Sequence, residues 1–206
     1  MTASTTAHMT ARIMLLVAHT GRDDAVKAAH HVAELLRAAG VGVRLLASEQ
    51  DALGIPDSTV VDPDGDPAAG AEMVIVLGGD GTLLRAAEVA RPAAVPVVGI
   101  NLGHVGFLAE AEPDRLEATI DHVLRGDYTV ERRMTLDVTV TSGGQQVYSG
   151  WALNETSVEK ANRQRMVELI AEVDGRPLSR WGCDGVVAAT PTGSTAYAFS
   201  AGGPVV

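Results

Sequence analysis

Through the first 130 residues, short runs apolar at every position alternate with longer stretches in which apolar residues recur every third or fourth position. Ile13 to Ala18 (IMLLVA) and Met73 to Leu77 (MVIVL) are the continuous runs, the pattern of strands buried on both faces. Val43 to Ala47 and Val95 to Ile100 read as further strands. Asp23 to Ala39 has helical spacing: Val26, Ala29, Ala33 and Leu36 share a face, acids occupy the first turn, and Gly40 stands at the stop. A second helix is expected from about Leu83 to Arg91, ended by Pro92, and a third from Pro113 to Arg125, followed by Gly126. Residues 48–71, rich in Gly, Pro and Asp, are expected to form a loop or mobile excursion. Strands alternating with helices of this size predict a mainly parallel sheet covered by helices, an α/β domain.

Near residue 131 the texture changes. Leu136 to Thr141 alternates, Ser142-Gly143-Gly144-Gln145 reads as a hairpin turn, and Gln146 to Leu153 follows as a strand. Val167 to Asp174 runs into a second turn at Asp174-Gly175-Arg176-Pro177. Short strands at close spacing without helices predict antiparallel, sandwich-like β structure. The expected organisation is a disordered leader over 1–11, an α/β domain over 12–130 and an all-β domain over 131–206. The final residues, Gly202-Gly203-Pro204-Val205-Val206, resemble an element cut at its start, so the second domain is expected to be incomplete.

Composition narrows the functional classes. With 46% hydrophobic residues the chain is too apolar for disorder, and at 3% aromatics its core must rest on Val, Ile, Leu and Ala. A net charge of −10 with no basic stripe argues against a polynucleotide partner; a mononucleotide or dinucleotide remains possible through local backbone N–H groups and a divalent cation. Cys183 is the one cysteine, which excludes an intrachain disulfide and suits a reducing compartment. Without a secretory signal or a membrane-length apolar run, a cytoplasmic location and no membrane association are expected.

The strongest chemical signal is Gly78-Gly79-Asp80-Gly81-Thr82, set between a buried strand and a helix. Such a turn puts unpaired N–H groups and the positive end of a helix dipole at the carboxyl edge of a sheet, where glycines admit phosphate oxygens. Asp80 would repel phosphate, so it suggests chemistry: a general base for a hydroxyl, or a contact to a metal ion. The competing explanation, a tight turn with Asp80 capping the helix, suits a lone Gly-Gly pair better than the full pentapeptide.

A second cluster, Thr190-Pro-Thr-Gly-Ser-Thr-Ala-Tyr197 followed by Ser200 to Pro204, follows the apolar Gly185 to Ala189. Its four hydroxyls suit ribose or phosphate, and equally suit a capped turn. Asn154-Glu155 could bind a ribose diol; taken alone, a solvated strand end explains it better. His30, His31 and Glu34 share a helix without zinc spacing, and Cys183 reads as a small core residue. The sequence has neither a Walker loop nor a G-x-G-x-x-G fingerprint.

Taken in order, Gly78-Gly-Asp-Gly-Thr-Leu-Leu-Arg85, Gly99-Ile-Asn-Leu-Gly-His-Val-Gly-Phe-Leu108, Leu153-Asn-Glu-Thr, Cys183-Asp-Gly and Thr190-Pro-Thr-Gly-Ser-Thr-Ala-Tyr197 resemble the bacterial NAD kinase family across roughly residues 12–206. The first motif is shared with lipid kinases and phosphofructokinases; the combination is not. The resemblance implies phosphorylation of the adenosine ribose 2′-hydroxyl of NAD to give NADP. Asp80 would be the base, with Gly78, Gly79, Gly81, Thr82 and Arg85 near the phosphates. Asn154 and Glu155 would hold the adenine and ribose region, Asp184 the nicotinamide end, and Arg165 a further contact. Thr192, Thr195, Ala196, Tyr197, Ala198, Phe199 and Ser200 would line the adenosine pocket. It further implies ATP or polyphosphate as donor with Mg2+, a site between domains, and a homodimer or homotetramer at full length.

Two departures stand out. Gly182 replaces a basic contact residue of some relatives, and the family's second domain continues past the Gly-Gly-Pro turn, so weak or absent turnover is expected of this chain. The rivals are a lipid or sugar kinase sharing the turn, for which no apolar substrate patch is evident, and a non-catalytic dinucleotide-binding module.

Overall fold

A computed structural model describes residues 12–102, 115–162 and 164–206, in two compact units, 1–131 and 132–206. The expected leader, the Gly103–Gly106 segment and the expected start of a helix at Pro113 lie outside the described residues.

The first unit is a five-stranded parallel sheet in the order β3-β2-β1-β4-β5, built from β1 (Ile13–Ala18), β2 (Gly42–Leu46), β3 (Thr59–Val61), β4 (Met73–Leu77) and β5 (Val97–Ile100). β1 and β4 are the central pair, and every residue of β4 is buried. Their continuous apolar runs follow from this, because helices cover both faces. One face packs against α1 (Asp23–Ala38) and α4 (Leu116–Arg125), through Ala29, Val32, Leu36, Ile120 and Val123. The other carries α3 (Asp80–Ala90) through Ala86 and Ala90, packed with Leu15, Val17, Val74 and Val76. Small alanines let these helices approach the sheet closely, as a core so poor in aromatics requires.

Residues 48–71 correct the expectation of a loop. α2 (Ala47–Leu53) and β3 lie within or across that span, and Leu53 is buried. The density of Gly, Pro and Asp after residue 53 concealed one short helix and a three-residue edge strand. α3 likewise begins at Asp80, three residues earlier than expected, because Gly79 in extended conformation serves as its N-cap.

The second unit is antiparallel, as its alternation predicted. β6 (Leu136–Ser142) pairs with β7 (Gln145–Ala152), β8 (Glu155–Glu159) with β11 (Gly185–Ala189), and β9 (Val167–Val173) with β10 (Arg176–Cys183). Gly143 and Gly144 take φ of 58° and 78° in the first hairpin, the left-handed pair that a two-residue turn demands. A 3-10 turn at Gly193–Thr195 and the short α5 (Tyr197–Ser200) follow β11. Burial here is sparse: Ile170, Leu178 and Met166 are exposed, and buried residues cluster at Thr190, Ser194 and Ala198.

Candidate functional site

In an open parallel sheet, a crevice forms at the carboxyl ends of the two strands between which strand order reverses. Here the chain runs outward through β2 and β3 and returns to β4 and β5, so that point lies between β1 and β4. Gly78 to Thr82 leaves β4 at this position. His19 N–H, just past β1, donates to the Leu77 carbonyl at 2.9 Å, and Gly78 N–H donates to the Ile100 carbonyl at 3.2 Å. Both ends of the crevice are thus tied to the sheet.

Gly78 is a steric requirement. A Cβ there would lie 2.6 Å from Thr82 Oγ1 and 3.0 Å from Thr82 Cβ, and Thr82 is buried. The Gly79 carbonyl accepts from Thr82 N–H at 3.0 Å and Leu83 N–H at 3.1 Å, which starts the helix. Gly81 N–H, in the first turn, has no partner among the described residues. Gly79 and Gly81 each face open space where a Cβ would project. Asp80 is the first residue of α3 and is partly exposed, so it stands at the rim of the turn and not in the packed interior.

Arg85, one turn further on, reaches back to the end of β1. Its Nη2 donates to the Ala18 carbonyl at 3.0 Å and to Glu49 Oε1. Glu49 was missed by sequence reasoning because it lay in the presumed loop. It is fully buried on α2, and its Oε2 accepts Ala18 N–H at 2.9 Å. Burial raises the Glu49 carboxyl above the usual glutamate range, while the Ala18 N–H and the Arg85 charge pull it back. The one sequence signal was the position of Glu49 three residues after an apolar strand.

In the second unit, Asn154 lies in the bend just before β8 and Glu155 opens that strand, where a terminating strand was expected. Among the described residues, Asn154 Oδ1 and Glu155 Oε2 are buried without a hydrogen-bond partner, and desolvation raises the Glu155 carboxyl above its ordinary value. Buried polar atoms are rarely left so, and a ligand is a common reason. The adjacent Thr190–Thr195 turn is seated on the same backbone. Thr190 Oγ1 donates to the Leu153 carbonyl at 2.6 Å and accepts Gly193 N–H at 3.0 Å, and Thr190 N–H donates to the Asn154 carbonyl at 2.8 Å. A Cβ on Gly193 would fall 2.0 Å from the Asn154 carbonyl oxygen, so only glycine permits this contact.

The hydroxyls of this cluster largely serve the turn. Ser194 Oγ donates to the Pro191 carbonyl at 2.7 Å, and Thr195 Oγ1 to the Thr192 carbonyl at 3.3 Å. Thr192 and Ala196 are partly buried at the two ends of the 3-10 turn. Along α5, Ala198 points inward, while Tyr197, Phe199 and Ser200 are exposed. Asp184 pairs with Lys160 at 2.5 Å, at the far end of the β8–β11 ladder. By strand rise, roughly 13 Å separates that end from Glu155. Arg165 is exposed before β9, and no side-chain hydrogen bond ties it to either cluster among the described residues.

Among the described residues no group of three or more His, Cys, Asp or Glu could hold a metal ion, and no helix is long and apolar enough to cross a membrane.

Comparison with known proteins follows the same division. The ATP-NAD kinase N-terminal domain matches residues 14–128, and the ATP-NAD kinase C-terminal domain matches 153–206. An NAD kinase of Thermobifida fusca is 58% identical, with 96% of this chain aligned to 63% of that protein. One from Nocardia farcinica is 55% identical over 95% of this chain and 64% of its own length. An NAD kinase of Mycobacterium tuberculosis is 51% identical over 98% and 68%. This chain therefore spans a little under two thirds of the first two relatives.

Among solved structures, yeast NADH kinase complexed with NADH superposes with a TM-score of 0.84 at 22% identity, over 95% of this chain and 62% of that one, a likeness of fold. An NAD kinase from Archaeoglobus fulgidus in complex with ATP gives a TM-score of 0.61 at 28% identity, over 95% and 67%. With matched domains over both units and relatives above half identity, the chain belongs to the ATP-NAD kinase family.

Proposed function

We propose that the protein of which this sequence forms at least a part phosphorylates the 2′-hydroxyl of the adenosine ribose of NAD, giving NADP. The observation that carries the proposal is Asp80, a partly exposed carboxylate at the first position of α3, on a glycine hinge at the topological switch point. Backbone N–H groups there would favour the pyrophosphate, and the carboxylate would take a proton from a sugar hydroxyl. In the transfer, the 2′-oxygen forms a bond to the donor's terminal phosphorus, the bond to the bridging oxygen breaks, and the hydroxyl proton passes to Asp80.

Residues 12–130 would act as the nucleotide-binding domain and 131–206 as the dinucleotide-binding domain. The orphaned Asn154 Oδ1 and Glu155 Oε2 supply acceptors for the adenine and ribose region, and Tyr197 and Phe199 offer exposed rings for stacking. An extended dinucleotide is long enough to reach from Glu155 towards Asp184, consistent with their separation along one ladder. The donor is ATP or polyphosphate. The described residues do not fit a resident metal, so Mg2+ is assigned to the donor's phosphates as part of the substrate, and no step is routed through a protein-bound ion. A cytoplasmic homodimer or homotetramer completes the proposal, supported by the exposed apolar side chains of the second unit.

Asp80→Asn tests it. Loss of about 10²-fold or more in NADP formation, with NAD affinity changed by less than about threefold, is expected of a general base. Equal loss of binding and turnover would make Asp80 part of a binding module.

A further inference from the structure

Glu49 is the only carboxylate in the described structure that is wholly buried, and no step of the proposed transfer uses it. Three bonds close a ring around it. Ala18 N–H donates to Oε2, Arg85 Nη2 donates to Oε1, and the same Nη2 donates to the Ala18 carbonyl. The ring joins three elements: the last residue of β1, the first turn of α2 and the middle of α3. Ala18 is followed by His19, whose N–H holds the Leu77 carbonyl one residue before Gly78. The ring therefore borders the turn that carries Asp80.

Its effect on Arg85 is directional. An unrestrained arginine on an exposed helix face samples many rotamers, and a fork loses its value for a polyanion when it is not oriented. Two acceptors fix Nη2, while Nε and Nη1 have no hydrogen-bond partner among the described residues; the side chain remains 43% exposed. Glu49 thus holds the guanidinium at the crevice with two donor groups still available.

We infer that Glu49 is a positioning residue, which orients Arg85 towards the phosphates of the bound nucleotide; this deepens the functional proposal and rests on it. The sign of the effect separates this role from its rivals. If Glu49 acted only as a neighbouring negative charge, removing it would strengthen anion binding. If it served stability alone, a folded variant would bind as the parent does. A positioning role makes binding weaker although the site becomes more positive.

The experiment is calorimetric titration with NAD and with inorganic pyrophosphate of the parent chain, Glu49→Gln, Arg85→Met and the double variant, with foldedness followed by circular dichroism. Glu49→Gln keeps the shape but turns an amide donor towards existing donors, so the ring is broken without opening a cavity. Affinity is expected to fall about fivefold or more in each single variant, and the double variant to be no weaker than Arg85→Met alone, since interacting residues are non-additive. Should Glu49→Gln unfold, Glu49→Asp, whose shorter arm cannot span both partners, is measured in the same way. Unchanged or tighter binding in a folded Glu49 variant, or additive losses in the double variant, would overturn the inference. A whole protein that binds NAD but yields no NADP with ATP or polyphosphate would defeat the functional proposal, leaving the binding cycle on this chain to decide on Glu49. A parent that binds neither probe would overturn the inference.

Discussion

At Gly193 a hydrogen atom is all that separates two pieces of backbone, for a Cβ would sit 2.0 Å from the Asn154 carbonyl oxygen. Neither partner is a flexible side chain, so Gly193→Ala must displace the Thr190 turn. It is expected to cost about 1–3 kcal/mol or more, as overpacking does. Both tryptophans, Trp151 and Trp181, lie in the second unit, so their fluorescence during urea unfolding reports this change there. Glu155 presents the reverse case. Its Oε2 is buried without a partner among the described residues and desolvation raises its carboxyl, so the ionised form is disfavoured in the fold. Removing the charge in Glu155→Gln should leave stability equal or higher near neutral pH while weakening NAD binding. A marked fall in the unfolding midpoint would mean that the carboxylate has a structural partner instead of a ligand. The motif at Asn154-Glu155 was legible in sequence; its lack of partners was not, because satisfaction depends on residues some 35 positions away at the Thr190 turn.

The element that decides the chemistry is the passage from β4 into α3. Two of its glycines are there for different reasons, and substitution separates them. Gly78→Ala drives a Cβ into Thr82 and should destabilise the first unit by about 1–3 kcal/mol. Gly81 lies in the first turn of the helix with open space around it, so Gly81→Ala should stabilise the fold by up to about 1 kcal/mol through helix propensity. If Gly81 serves phosphate approach, the same change should nevertheless weaken NAD binding, which thermal melts and calorimetry read separately. The strand and the Gly-rich turn were evident from the apolar run and its interruption. The start of α3 at Asp80 was not, since an N-cap supplied by glycine carries no Ser, Thr, Asn or Asp signature. α2 was hidden for a related reason: seven residues give too few turns for periodicity to emerge beside a Gly- and Pro-rich stretch.

Across the first unit as a whole, Arg12 acts as a fastener. It pairs with Glu72 through Nε and Nη2, at 2.6 and 2.7 Å, and its Nη1 donates to the Leu124 carbonyl at 2.7 Å near the end of α4. The Arg12 hydrogen bond holds the Glu72 carboxyl below the ordinary glutamate range. A depressed carboxylate contributes stability that is complete above the unfolded-state pKa and disappears as pH falls through the lower folded value. Glu72→Gln is therefore expected to lower stability at neutral pH and to match the parent in acid. Because α1 to α4 all lie in the first unit, helical circular dichroism follows it. Glu49 slopes the other way: its raised carboxyl favours the fold when protonated, and that contribution is lost as pH rises through the folded value.

The amino-acid sequence by itself determined the class of each half. Uninterrupted apolar runs specify buried parallel strands and alternation specifies antiparallel ones, because side-chain direction is fixed by local backbone geometry. It also marked the Gly78–Thr82 turn and the Thr190–Tyr197 cluster, whose glycines and hydroxyls are contiguous in the chain. Tertiary structure alone decided the strand order that makes β1 and β4 neighbours, the ring of Glu49, Arg85 and Ala18, and the orphaning of Asn154 and Glu155. Each of these joins atoms far apart in sequence. Their energies depend on burial and on what stands opposite, quantities that no local pattern records.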